Sequence, residues 1–483
     1  MAPAGPGQRP GLCFAVVVVF FLCCYLRVLT TGYLELDDLG RVQIGYNLWA
    51  EDGRLLTAAL MALFSFGGRM LDVSPLPQLG AIAVMGAAGV LLSRAAPELG
   101  PGRTALAAIL LFATPFYLQN MTYVFDSLSM TAAVVLALWS ALLLERPILA
   151  GLALLAALLL YQPAIDVFLS FAAAGVLFRL AGANAAWPSV RRAVLVLLGA
   201  TVFDEALILL LRLARLVVFP DYQSRHAALM GPVELWRGVP AGLHAMLGLA
   251  TRMVPVRSLH GLLMLAAILG FLAVVLRRTP PRRLLLAVAA SLVLLAGFAG
   301  PMLLLRNPVV EPRVMVGVGA MLSASAWTAM RLLPGRGIHA MTALAVLLVA
   351  CFAREAFAYG ALLRDLDRYE ASVLPPVARA VNAEHARTGL APLQILGAMP
   401  FPPVMRHGLE RAPGLAPLFD NPLNGISWFG VALLAQYGLE DGIRFRDPGP
   451  RDAACRTMGD TGPGFAVGHD ASSLILLFRN ACF

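Results

Sequence analysis

The chain has 483 residues, of which 59% are hydrophobic and only 13% charged, and its mean hydropathy is +0.77. A soluble chain of this length would divide into two to four domains, but this apolar excess excludes that class and points to a polytopic α-helical membrane protein. The net charge of +9 does not imply nucleic-acid binding, because the arginines cluster in short turns between apolar runs, the pattern of cytoplasmic loops.

In chain order, the first apolar run, Leu12 to Thr31, follows Arg9 and resembles a signal sequence. It is longer than a usual signal core and lacks a small-x-small cleavage site, so it reads as a retained signal-anchor helix. Ten further runs lie near 77–94, 104–118, 127–144, 147–161, 163–180, 193–211, 258–276, 284–304, 314–333 and 338–358. The fold class expected is therefore all-α and polytopic, with about eleven transmembrane helices, since roughly twenty apolar residues cross ~30 Å of hydrocarbon. With the N-terminus inside, one set of loops carries Arg94, Arg103, Arg146, Arg179, Arg191, Arg192, Arg277, Arg278, Arg282, Arg283, Arg331 and Arg336. The positive-inside rule makes this set cytoplasmic, and an odd number of spans puts the C-terminus outside.

The opposite loops, 32–76, 119–126, 161–163, 212–257 and 305–313, then read as extracytoplasmic. In the first of them Leu39, Val42, Tyr46 and Trp49 recur at helical spacing, and residues 55–66 continue as a second apolar-faced stretch. Both suit helices lying in the interface plane (37–66); the alternative is a loop helix packed on the bundle. From about Asp365 the composition changes. "RDLDRYEASVLPPVARAVNAEHARTG" reads as an amphipathic helix with a proline break, "LQILGAM" and "SSLILLF" as short strands, and "GISWFGVALLAQYG" as a helix ended by Gly438. The division expected is a membrane domain over 1–360 and a small α/β extracytoplasmic domain over 361–483. If that domain lies outside the cytoplasm, Cys455 and Cys482 can form a disulfide; inside, they remain thiols.

Asp37 and Asp38 are adjacent carboxylates in a greasy chain, costly unless they face water, pair with cations or do chemistry. Asp126, Asp166 and the Asp204–Glu205 pair fall on the same outer side, which suggests a polar cavity open to that face. Arg41, Arg54, Arg69, Arg212, Arg215, Arg225, Arg306 and Arg313 reach it too. Arg41 could pair on a helix with one carboxylate of the pair, and such guanidiniums suit a phosphate or pyrophosphate headgroup. Snorkelling to lipid headgroups is the ordinary reading of any one of these arginines. Carboxylates with arginines are what a lipid-phosphate-using enzyme needs: one takes the acceptor's proton while cations hold the departing phosphate. His226, His244 and His260 match no compact metal-ligand spacing.

"DDLGRVQIGYNLWAEDGRLL" resembles the first periplasmic loop of the bacterial GtrII-type glucosyltransferases, the O-antigen serotype-converting family, through Asp37, Asp38, Arg41, Gly45, Tyr46, Trp49, Gly53 and Arg54. "NMTYVFDSLSM" resembles a second family segment through Phe125, Asp126, Ser127 and Leu128, and "LLYQPAIDVFL" a third through Tyr161, Gln162 and Phe168, with Pro163 departing from the small residue expected there. The resemblance implies a GT-C-like membrane fold, a polyprenyl-phosphate-glucose donor, and transfer to an O-antigen or related surface glycan outside the bacterial inner membrane. On this reading Asp37, Asp38 and Asp126 are the catalytic candidates, with Asp38 narrowly favoured as general base in an inverting transfer. Arg41, Arg54, Tyr161, Gln162, Arg306 and Arg313 are candidates for donor binding, and the carboxylates leave a divalent metal open. The competing readings are a transporter or flippase of a lipid-linked saccharide, a related enzyme transferring another sugar, and a membrane scaffold. The first would call for charges near the bilayer midplane and repeated halves, neither of which the sequence has.

Overall fold

A computed structural model describes residues 9–182, 184–218, 225–226, 228–424, 428–447 and 464–478. Cys455 and Cys482 lie outside the described residues. Among those described, six helices are long and apolar enough to cross a membrane: α1 (Pro10–Thr31), α4 (Leu76–Ala95), the segment Gln162–Ala181 that contains α9 (Ile165–Ala181), α10 (Trp187–Leu213), α12 (Leu259–Arg278) and α15 (Arg336–Thr388). A seventh span is formed if α5 (Gly100–Phe112) and α6 (Leu118–Thr122) are taken together; Pro115 cannot continue the helix, and the chain bends there by 59°. Each remaining apolar run also falls on a helix: α7 (Ser127–Leu142), α8 (Pro147–Leu160), α13 (Leu284–Ala296) and α14 (Gly317–Leu332). These are only 13 to 16 residues long, roughly 20–24 Å at 1.5 Å per residue, shorter than a hydrocarbon core.

The centre of the bundle is α14, in which every residue except Arg331 is buried. Small residues let its neighbours approach, and the Ser323 hydroxyl donates to the Ala107 carbonyl of α5 at 2.7 Å. Around it pack α5, α9, α12 and α15, while α1 lies against α4, α5 and α15. The stretch 212–257, expected as a loop, contains a 22-residue helix, α11 (Pro232–Met253). Its start is set by Gly231 and Glu234, whose carboxylate accepts the Gly231 N–H at 2.8 Å. Pro240 and the scattered charges in "VELWRGVPAGLHAMLGLATRM" mask this helix in the sequence.

The two stretches expected in 37–66 are helical, as α2 (Leu36–Ile44) and α3 (Leu55–Phe64). The aromatic end of the first stripe differs: α2 stops at Gly45, whose φ of 73° is left-handed and whose N–H caps the Arg41 carbonyl at 2.8 Å. Tyr46 and Trp49 therefore leave the helix, and Trp49 is a buried side chain rather than an interface anchor.

Beyond the bundle, α15 continues without interruption past residue 360 to Thr388, with Pro375 and Pro376 inside it. Both expected strands form, as β1 (Pro392–Leu396) and β4 (Leu474–Phe478), and the expected helix is α16 (Phe429–Gln436). With β2 (Arg444–Phe445) and β3 (Phe465–His469) they make a mixed sheet of order β2-β1-β4-β3. Strand β1 runs parallel to both its neighbours, and β3 runs antiparallel to β4. The sheet's core takes in Leu39 of α2 along with Leu374, Val377 and Val381 of α15, so the tail is packed on the carboxylate-bearing helix. Contact is close enough that a Cβ on Gly40 would stand 2.1 Å from Cη2 of Trp428.

Candidate functional site

The α2 turn puts Asp37 and Asp38 on different faces, because successive helical residues are ~100° apart. Asp38 points inward and is fully buried. One of its oxygens accepts from the Val124 N–H at 2.8 Å and the other from Arg41 Nη1 at 3.2 Å. Asp37 points outward: its side chain is 40% exposed, and its carboxylate stands 3.9 Å from Arg313 Nη1.

Asp126, just before α7, is the buried hub. Its Oδ2 accepts from Arg41 Nη1 at 2.7 Å; its Oδ1 accepts from Trp49 Nε1 at 2.8 Å and faces Arg54 Nη1 at 2.6 Å. Arg41 also lies over the Trp49 ring at 4.3 Å and Arg54 over Tyr161 at 5.4 Å. Arg54 is held by a helix end. Chain direction changes after Leu160, leaving that carbonyl without an intrahelical donor, and it accepts from Arg54 Nε and Thr57 Oγ1, both at 2.8 Å. The Arg54 Nη2 donates to Ser129 at 3.1 Å.

These surroundings separate the carboxylates electrostatically. Burial pushes Asp38 up to about 8, against the pull of Arg41 and the Val124 N–H. Burial would raise Asp126 as well, but Arg41 and Arg54 outweigh it and hold it down at about 2. At neutral pH Asp38 is thus mostly protonated, and two guanidiniums share one ionised carboxylate, Asp126.

Arg313 forms the other edge. Its Nε meets Glu311 at 2.7 Å, its guanidinium lies over Tyr123 at 4.4 Å, and its backbone carbonyl accepts from Tyr161 Oη at 2.7 Å and Asn120 Nδ2 at 3.2 Å. Gln162 donates to the Asp52 carbonyl at 3.2 Å, fixing the loop between α2 and α3. Five expected donor-site residues and the three carboxylates are therefore drawn together. Arg306 is directed elsewhere, pairing with Glu234 at 2.9 Å where both side chains are about half exposed. Asp166 and Asp204 are buried in α9 and α10, and among the described residues no hydrogen bond or ion pair joins them to this cluster. The histidines stay apart, with His226 at the Asn307 carbonyl and His260 at Glu355. Among the described residues no three His, Cys, Asp or Glu side chains converge as a metal site.

Sequence reasoning missed Glu35, buried and accepting from Thr122 at 2.7 Å; burial pushes it up to about 8. It also missed Asp420 of the tail, which accepts from Gln119 Nε2 at 3.2 Å. Its residue type could have flagged Glu35, two positions before the carboxylate pair; nothing local distinguishes Asp420.

A bundle of apolar helices with a desolvated arginine–carboxylate cluster at one end, edged by an accessible carboxylate, defines an integral-membrane protein built around a polar site. A family model for glucosyl transferase GtrII matches residues 26–324, and the chain belongs to that family. The matched region includes all of the site described above except Asp420 and the rest of the tail. The chain is also similar to an "uncharacterized 55.3 kDa protein in gtrB 5'region" of Salmonella phage P22, 30% identical over 152 residues, which cover 30% of this chain and 31% of that protein. No solved structure matches.

Proposed function

We propose that the protein is an inner-membrane glycosyltransferase that moves glucose from a polyprenyl-phosphate donor to an O-antigen or related surface glycan on the periplasmic side. On this reading the eleven apolar helices are a GT-C-like spanning set, with the N-terminus cytoplasmic and residues 361–483 periplasmic, the orientation that the arginine distribution supports. The observation that carries the proposal is the half-exposed Asp37 carboxylate 3.9 Å from Arg313, beside the buried Arg41–Asp126–Arg54 cluster.

The donor's phosphodiester charge is attracted to the Arg41–Arg54 pair, Arg313 steadies Asp37 and Glu311 at the acceptor edge, and Tyr161 and Gln162 hold the loops between them. The acceptor hydroxyl oxygen attacks the anomeric carbon as its proton passes to Asp37. The bond from that carbon to the phosphate oxygen breaks, its electron pair leaves with the polyprenyl phosphate, and configuration inverts. Asp37 suits the base better than Asp38, which is fully buried with both oxygens engaged, and better than Asp126, whose proton affinity is too low.

The test is transfer of radiolabelled glucose from polyprenyl-phosphate-glucose to lipopolysaccharide by the purified protein in nanodiscs. Asp37→Asn is expected to lower kcat by about 10²–10⁴-fold with the fold intact. Undiminished transfer by this variant would remove Asp37 as base. Failure of the parent protein to label any glycan would overturn the enzymatic reading in favour of a transporter.

A further inference from the structure

The mouth of the site contains buried polar atoms that the protein itself does not satisfy. Gln119, Asn120 and Tyr123 are each at most 1% exposed, yet the Gln119 Oε1, the Asn120 Oδ1 and the Tyr123 hydroxyl have no hydrogen-bond partner. Buried polar groups are seldom left so, and three within one five-residue segment point to a polar ligand. All three residues border Arg313 or Asp420. The amide of Gln119 donates to Asp420, that of Asn120 donates to the Arg313 carbonyl, and the Tyr123 ring lies under the Arg313 guanidinium. Asp420 is close enough to Glu311, Arg313 and Asp37 to sense all their charges. It is held there by the tail, where Phe419 packs on Tyr359 with ring centroids 5.2 Å apart.

Three carboxylates, Asp37, Glu311 and Asp420, outnumber the single guanidinium between them. Such a wall repels anions and suits a neutral polyhydroxylated ligand, because a carboxylate accepts from two neighbouring hydroxyls and an amide or phenol supplies the rest. Resting on the transferase reading above, we propose that Asp420, with Gln119, binds hydroxyls of the acceptor sugar, so that the tail supplies an acceptor-selecting residue to a site otherwise built by the membrane helices. The donor's charged phosphate belongs on the opposite edge, with Arg41 and Arg54.

The assay is steady-state glucose transfer with lipopolysaccharide and polyprenyl-phosphate-glucose varied separately. Asp420→Asn is expected to raise the acceptor KM about ten- to hundredfold, the range for losing a hydrogen bond to a charged group. The donor KM should move far less, and Asp420→Glu should recover part of the loss. Thermal unfolding of each variant separates this from damage to the tail. If Asp420→Asn does not accumulate, Gln119→Met gives the same readout from the membrane side. An acceptor KM unchanged in an active Asp420→Asn enzyme would overturn the assignment alone, as would equal rises in both KM values. A parent protein that transfers no glucose would overturn it together with the transferase reading.

Discussion

Asp126→Asn is the most informative single substitution. The parent carboxylate faces two guanidiniums at 2.6 and 2.7 Å and an indole N–H at 2.8 Å, all of them buried. Asparagine keeps one acceptor, which the Trp49 N–H can retain, but turns an NH₂ group toward a guanidinium. Arg41 keeps Asp38 at 3.2 Å, and Arg54 keeps the Leu160 carbonyl and Ser129, so neither is stripped bare. What is lost is the ionised carboxylate that two desolvated cations share, and removing one partner of a buried ion pair costs about 3–5 kcal/mol. Equilibrium unfolding in mixed micelles of rising SDS fraction would measure this loss. The double variant Asp126→Asn/Arg41→Met, which also removes one orphaned charge, should regain part of it. A loss below about 0.5 kcal/mol, the range of ordinary surface substitutions, would refute the hub.

Trp49→Phe keeps a ring beneath Arg41 but deletes the N–H donor to Asp126, and should cost about 1.5–3 kcal/mol in the same assay. Asp38 and Glu35 both have folded-state values raised to about 8 from ordinary carboxylate values near 4. Their protons therefore stabilise the fold fully at low pH, and this stabilisation is lost as pH rises from about 4 through 8. The unfolding temperature should fall between pH 4 and 8, with a smaller fall in Asp38→Asn; a flat profile in the parent would refute the assignment. Ionisation of Asp38 also adds a negative charge beside Arg41, so the donor KM in the transfer assay should rise above pH 8, and no longer do so in Asp38→Asn. Gly40→Ala puts a methyl into the Trp428 ring, and at about 1–3 kcal/mol for overpacking should loosen the tail, read as faster proteolysis beyond residue 388.

The sequence makes the helices of the bundle readable because hydrophobic runs report burial directly, and each of the eleven runs contains a helix or most of one. Length is harder to read: α13 is 13 residues because Gly297 and Gly300 end it early within a run that stays apolar to residue 304. The site is legible to the extent that it is local. Asp37, Asp38 and Arg41 share one short helix, and their spacing already allows the 3.2 Å pair. Which carboxylate faces inward is not local: Asp38 is buried because Val124, eighty-six residues away, donates to it and because the tail covers Leu39 beside it. The same holds for Trp49, which closes an apolar stripe in the sequence but is buried with its indole N–H on Asp126, seventy-seven residues away. Asp420 is the extreme case, a residue given its meaning only by the return of the chain from the sheet.

The 53-residue helix α15 has one further consequence. It is about 80 Å of continuous helix, and the bilayer accounts for only ~30 Å of that. No loop intervenes to absorb rotation between the part packed on α1 and the part packed under the sheet. Membrane and tail are thus phase-locked, like two cams on one shaft. A single residue inserted in the stretch between them would turn the tail by ~100° and raise it by ~1.5 Å. That would carry Asp420 away from Gln119 without touching either residue, so evolution can change the tail's surface freely but its angular setting hardly at all.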